Sequence, residues 1–172
     1  RNVTGVQTCA LPIYEVPAGA KNARKGEWRK APGRELLTAM AKRFPSLPLI
    51  AEDLGALTPE VEALRDDFGL AGMRIVQNAF WSGKSGDMPH NHPFRAVVYS
   101  GTHDNETTEQ WWRGRDGAQR ARFRAYAGDG PAHAAMNRIV LASPAALAVV
   151  PMQDILGLGA AARMNLPGTR SE

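Results

Sequence analysis

The apolar positions of this chain fall into short, wholly apolar runs that alternate with longer stretches carrying apolar residues at helical spacing, a pattern of strands and helices taking turns. The clearest run is residues 47–51, Leu-Pro-Leu-Ile-Ala. Bounded by turn signals, it predicts a strand buried on both faces, with residues 53–57 as its exit loop. Glu52 and Asp53 then stand together at the carboxyl end of that strand. Thr58-Pro59-Glu60 opens a helix with a threonine cap, proline in the first turn and an acid where the helix dipole favours one. Val61, Leu64 and Phe68 give its inward face, and Gly69 ends it.

The same grammar recurs downstream. Residues 72–77 predict a second strand, carried on to a strand end at Phe80, and residues 95–100 a third. The third leads into Gly101-Thr-His-Asp-Asn105 and a helix that Asp104 or Asn105 could cap. Residues 34–44 predict a helix with Leu36, Leu37, Met40, Ala41 and Phe44 inward. Further helices follow around Trp111 and Trp112, from Asp116-Gly117 to Ala127, and over residues 132–142 with Met136, Ile139 and Val140 inward. Residues 146–151 form the last predicted strand, ending near Gln153 and Asp154. Residues 14–33, 81–92 and 157–168 are rich in Gly, Pro and polar residues and predict surface loops.

Strand, loop and helix in repetition give an α/β protein with parallel strands. Glu52 and Asp104 lie 52 positions apart, close to two strand-helix units of a (β/α)8 barrel at roughly 30 residues each. In such a barrel the loops after the strands converge on one face, so acids on two of them can address one bond. The predicted fold is therefore a partial TIM (β/α)8 barrel.

Several motifs carry a resemblance in sequence order. Ile50-Ala-Glu-Asp-Leu-Gly55, the Thr58-Pro-Glu-Val helix start, Ser100-Gly-Thr-His-Asp-Asn105, Pro151-Met-Gln-Asp154 and Ala162-Arg-Met-Asn-Leu-Pro-Gly168 resemble the 4-α-glucanotransferase family, also called amylomaltases or disproportionating enzymes. The likeness runs from Tyr14 to Thr169 and corresponds to the carboxyl-terminal half of the catalytic barrel. It implies retaining transfer of α-1,4-glucan segments between maltodextrins, with no metal or cofactor. It implies Glu52 as general acid/base and Asp104 as the acid that grips sugar hydroxyls and favours a cationic transition state. His103, Asn105, Gln153, Asp154 and Asn165 are implied as substrate-side residues, with Gln153 and Asp154 supporting the floor. The family's nucleophilic aspartate, in an Arg-x-Asp segment just before a Tyr-Glu-Val-Pro-Ala-Gly stretch, has no counterpart ahead of Tyr14. A hydrolase of the α-amylase type, or a carbohydrate-binding piece without turnover, are the alternative readings.

Residues 3–13 read instead as the translation of a sequencing-adapter oligonucleotide, and residues 170–172 as the start of its mate. On this reading residues 1–13 and 170–172 are non-native tails around a genuine segment, 14–169. Raw sequencing reads with other codons at residues 3–13 would overturn it.

Composition narrows the rest. With 172 residues, 44% hydrophobic and 22% charged, the chain has ordinary globular proportions. The net charge of +4 is spread over residues 21–30 and 113–124 without an aromatic-basic stripe, which speaks against nucleic acid. No apolar run approaches the roughly 20 residues that a membrane helix needs. Cys9 is the one cysteine, so there is no disulfide framework, and a reducing cytoplasm fits best. His90 and His92 have the look of a metal pair but lack a third ligand nearby, and a polar loop is the simpler reading. Phe80, Trp81 and Trp111 are candidates to stack on sugar, with the tryptophans of the Trp111-Trp112 pair more often core residues. Asp53 reads as a supporting loop acid.

Overall fold

The computed structural model describes residues 12–46, 49–55, 57–81 and 86–169. The predicted tails therefore fall mostly outside the described residues, as do Leu47 and Pro48 of the first predicted strand. The chain divides after Gly72 into two compact units, each with its own apolar cluster.

In the first unit, β1 (Pro12–Glu15) and β2 (Glu27–Lys30) form an antiparallel hairpin, with Tyr14 opposite Trp28 and Glu15 opposite Glu27. Residues 14–33 are thus not an irregular loop. Cross-strand chemistry overrides the polar composition: the Tyr14 and Trp28 rings meet at 4.9 Å, Arg29 bonds Glu15 at 2.9 Å, and the Gly26 amide donates to the Tyr14 hydroxyl. Helix α1 (Gly33–Arg43) and helix α2 (Pro59–Asp67) follow. Leu37, Leu64 and Leu70 make the buried cluster, with Met40 and Phe68 against it. Leu36 and Phe44, expected inward, are exposed. The helix presents an apolar stripe narrower than the sequence suggested.

The run at residues 47–51 is also less regular than predicted. Ile50 makes one parallel bridge to Ala71, with the Ala51 amide on the Ala71 carbonyl at 2.8 Å. Leu49 and Ile50 are exposed, so this run is not a strand buried on both faces. Asp53, by contrast, is buried, its carboxylate held by Arg65 at 2.6 Å. Gly72 explains how closely the chain packs here: a Cβ at that position would lie 2.3 Å from an Asp53 oxygen. The chain passes the carboxylate with no room for a side chain.

The second unit is built on a sheet ordered β3 (Gly72–Ile75), β4 (Ala96–Tyr99), β5 (Leu147–Val149), with β4 and β5 parallel and Val98 opposite Ala148. Strand β3 stops at Ile75, and residues 76–79, predicted as strand, form the helical turn α3 (Val76–Ala79). A short apolar run does not by itself separate the two states. Here the Gln77 side chain bonds the Glu106 carbonyl while its amide donates to Ser100, and those contacts suit the turn.

Helices α4 (Thr108–Arg113), α5 (Gly117–Ala127), α6 (Ala132–Leu141) and α7 (Met152–Ile155) surround this sheet. Their core is Val76, Phe80, Val98, Trp111, Phe123, Met136 and Val140, with Phe123 edge-on to Phe80 at 5.1 Å and to Trp111 at 5.5 Å. The cap of α4 is Thr107, whose hydroxyl accepts from Gln110, and not Asp104 or Asn105. The cap of α5 is Asp116, in a reciprocal box with Gln119. Among the described residues no helix is long and apolar enough to cross a membrane.

His92 lies in the polar loop expected for it but is buried there, bonded to Ser143 Oγ at 2.8 Å and to the Asp87 carbonyl at 2.7 Å. His90 meets the Tyr126 hydroxyl at 3.1 Å. Among the described residues no group of three or more His, Cys, Asp or Glu is placed to hold a metal. Burial holds the His92 imidazole below its ordinary pKa of 6.5. Above that value neither folded nor unfolded chain is protonated there, and stability is full. As the pH falls from 6.5 toward the lower folded value, the unfolded chain alone takes the proton, and stability drops by up to about 1.4 kcal/mol per pH unit. Urea midpoints measured from about pH 7.5 to 5.5 should show that fall, and His92→Gln should flatten it.

Candidate functional site

The site in the second unit is built on the segment that leaves β4. Gly101 is buried and closely packed: a Cβ there would stand 2.9 Å from Gln77 Nε2 and 3.0 Å from Asn105 Cβ, so both side chains would have to shift. The chain then turns tightly. The Asn105 amide donates to the Thr102 carbonyl at 3.1 Å. The Asn105 side-chain oxygen accepts from the Thr102 amide and hydroxyl, both at 2.8 Å. Asn105 is thereby the clasp of the turn that presents His103 and Asp104, both exposed, with His103 Nε2 at 3.4 Å from the Asp104 carboxylate.

A second segment, after α7, meets this turn. Asn165 donates its amide to Asp104 Oδ1. Arg163 donates through Nη2 to the Asp104 carbonyl and through Nε to the Asn165 carbonyl, each at 2.8 Å. One guanidinium thus ties two loops together at the acid. Residues 157–168 contain a 3-10 turn at Ala160–Ala162, and the strap at Arg163 gives them a fixed attachment.

Underneath lies Asp154. It is 2% exposed, and its carboxylate accepts from Ser100 Oγ at 2.5 Å and from the Thr108 amide at 2.7 Å. Its own carbonyl accepts from Asn137 at 3.0 Å. Asp154 therefore joins the end of β4 to the start of α4. Gln153, beside it, lines the small hollow shared by His103, Asn105 and Arg163. An open cleft of about 320 Å³ adjoins it, lined by Gln77, Trp81, Asp104, Glu106, Arg115 and Arg163 among others. That volume is at the lower end for small-molecule sites. On the far side of α4, burial works against ionisation of Glu109, but hydrogen bonds from the His133 ring at 2.8 Å and from its amide prevail. They hold the carboxyl below its usual range.

Six of the seven predicted site residues thus belong to the second unit: His103, Asn105, Gln153 and Asp154 line the hollow, Asp104 lines the adjoining cleft, and Asn165 joins them through its bond to Asp104. Glu52 belongs to the first unit, exposed just beyond the Ile50 bridge.

With this geometry in place, known proteins supply the family. The family model of the 4-alpha-glucanotransferases matches residues 10–172. The chain belongs to the 4-alpha-glucanotransferase family. Among its relatives, the 4-alpha-glucanotransferase of Synechocystis sp. is 47% identical over 162 residues, covering 91% of this chain and 32% of the relative. That of Thermus thermophilus is 44% identical over 169 residues, covering 92% and 34%. The amylomaltase of Streptococcus agalactiae, solved in complex with acarbose, superposes with a TM-score of 0.91 at 31% identity, covering 96% of this chain and 34% of that one. The chain spans about a third of the length of the curated relatives it matches.

Several residues at the site carry no role that the sequence alone reveals. Arg163 lies inside the Ala162–Gly168 motif without a signal of its own. Gln77 falls at the end of the predicted strand, residues 72–77. Arg115 and Glu106, 3.8 Å apart at the cleft wall, carried no local signal. Their positions follow from long-range contacts, and only a basic residue two places before Asn165 could have pointed to Arg163.

Proposed function

We propose that this chain is the carboxyl-terminal part of a 4-α-glucanotransferase barrel, and that the whole enzyme transfers α-1,4-glucan segments between maltodextrins with retention. The observation that carries the reading is the Asp104 turn, strapped by Arg163 and Asn165 over an open cleft, in a chain that superposes on an amylomaltase bound to acarbose. Retaining transfer needs a carboxylate nucleophile and a second carboxyl group that first protonates the leaving oxygen and then takes a proton from the acceptor. Glu52 is assigned the second role. Asp104, with His103 and Asn165 beside it, is assigned to bind hydroxyls of the reacting sugar and to favour positive charge at its ring. A fixed carboxylate does that best where the charge develops. Asn105 and Asp154 act from below: one clasps the turn, the other anchors its base, while Gln153 faces the hollow. The nucleophile has no counterpart in these 172 residues, so the chain alone is assigned no turnover. A cytoplasmic location is part of the proposal, on the ground that Cys9 offers no disulfide partner within the chain.

The test is a chimera in which residues 14–169 replace the matching segment of the Synechocystis enzyme, assayed on maltotriose. Transfer yields glucose together with dextrins longer than the substrate. Smaller sugars alone would mean hydrolysis and overturn the reading, and so would measurable disproportionation by the isolated 172-residue chain.

A further inference from the structure

We infer that Trp81 is a glucan-binding platform of the cleft, held in place by Arg115. The inference rests on the glucan reading above and assigns a site to it. Three aromatics were candidates to stack on a sugar, and burial separates them. Phe80 and Trp111 are each 2% exposed and spend their rings on the core around Phe123; Trp111 and Trp81 both border the cleft that holds Asp104 and Arg163, but only Trp81, 60% exposed, offers it an open ring.

An exposed indole alone would signify little, since single surface apolar residues are normal. This one is braced. The Arg115 guanidinium lies 5.1 Å from the Trp81 ring centre and 5.6 Å from that of Trp111. It is fixed by a 3.1 Å hydrogen bond from Nε to the Trp111 carbonyl, and Glu106 stands 3.8 Å away. The backbone is tied as well: Arg122 Nη2 donates to the carbonyls of Phe80 and Trp81, at 3.2 Å each. The buried Trp111 is thus the base of a stack that runs through Arg115 to Trp81.

A ring so held loses little freedom on binding, which is what makes an aromatic surface effective. The ligand chemistry follows from the neighbours. A pyranose offers an apolar C–H face to an indole and a rim of hydroxyls to polar groups. Gln77, Asn78 and the Asp104–Arg163 junction line the same cleft. The ligand class is an α-1,4-linked glucosyl unit of the oligosaccharide whose reacting sugar sits at Asp104.

The experiment titrates the purified 172-residue chain with maltoheptaose by calorimetry. Stacking energies of this order correspond to about a tenfold affinity. Trp81→Ala should weaken binding about tenfold, Trp81→Phe should keep it within about threefold of wild type, and Arg115→Met should weaken it with Trp81 still present. Trp28→Phe, on the hairpin, should change nothing. Equal affinity of wild type and Trp81→Ala, or no detectable binding by the wild-type chain, overturns the platform. Neither outcome touches the catalytic reading, which stands or falls on Glu52 in the chimera.

Discussion

Glu52→Gln, introduced into the chimera that carries residues 14–169, is expected to lower kcat for maltotriose disproportionation by about a thousandfold while KM changes little. A positioned general acid contributes roughly 10² to 10⁴ in rate, and the amide keeps the shape of the side chain but cannot deliver a proton. Glu52 is exposed, so its substitution should leave the melting temperature within about 2 °C of the parent, as surface changes usually do. The deficit should depend on the leaving group. A maltoside with p-nitrophenolate as leaving group needs little protonation, and its first step should be far less impaired than that of maltotriose. The neighbouring acid gives the contrasting control. Asp53 is buried against Arg65 at 2.6 Å, so Asp53→Asn should reduce stability and leave the leaving-group dependence unchanged. An enzyme with Glu52→Gln that retains more than a tenth of the parent's activity would remove Glu52 from the mechanism.

The contrast between these two adjacent acids shows where sequence reasoning reached and where it stopped. Local chemistry was readable: Pro59 opens α2, and Met136, Ile139 and Val140 turn inward on α6, because each depends on residues within a turn or two. The hairpin at Tyr14 and Trp28 was not, since its pairing spans 14 positions and its composition favours a loop. Nor was the end of β3 at Ile75, where what fixes the turn is a bond from Gln77 to Glu106, 29 positions away. The candidate site divides in the same way. Asp104 and Asn165 sit in motifs contiguous in sequence, so the family resemblance of those motifs could name them. The groups that hold them act across long separations: Arg163 reaches 59 positions to Asp104, and no periodicity carries that information.

Asp154→Ala is expected to have the largest effect on stability in the second unit, a loss of about 4 kcal/mol, from two hydrogen bonds to a charged acceptor at roughly 1.5–3 kcal/mol each. Ser100 and Thr108 are both fully buried. Alanine would strand the Ser100 hydroxyl and the Thr108 amide where water cannot replace the lost oxygens. At about 2–4 °C per kcal/mol for a chain of this size, the melting temperature should fall by about 8–16 °C, as read by near-ultraviolet circular dichroism. Asp154→Asn separates this role from a direct one. Its remaining oxygen can still accept from the Thr108 amide, and Ser100 can rotate to accept from the new NH₂, so most of the stability should return. If Asp154 acts by anchoring the base of the Asp104 turn, the asparagine variant of the chimera should also recover most of its kcat. Should it fold as the parent does yet lose activity a hundredfold or more, the carboxylate's charge, and not its anchoring, would be what the reaction uses.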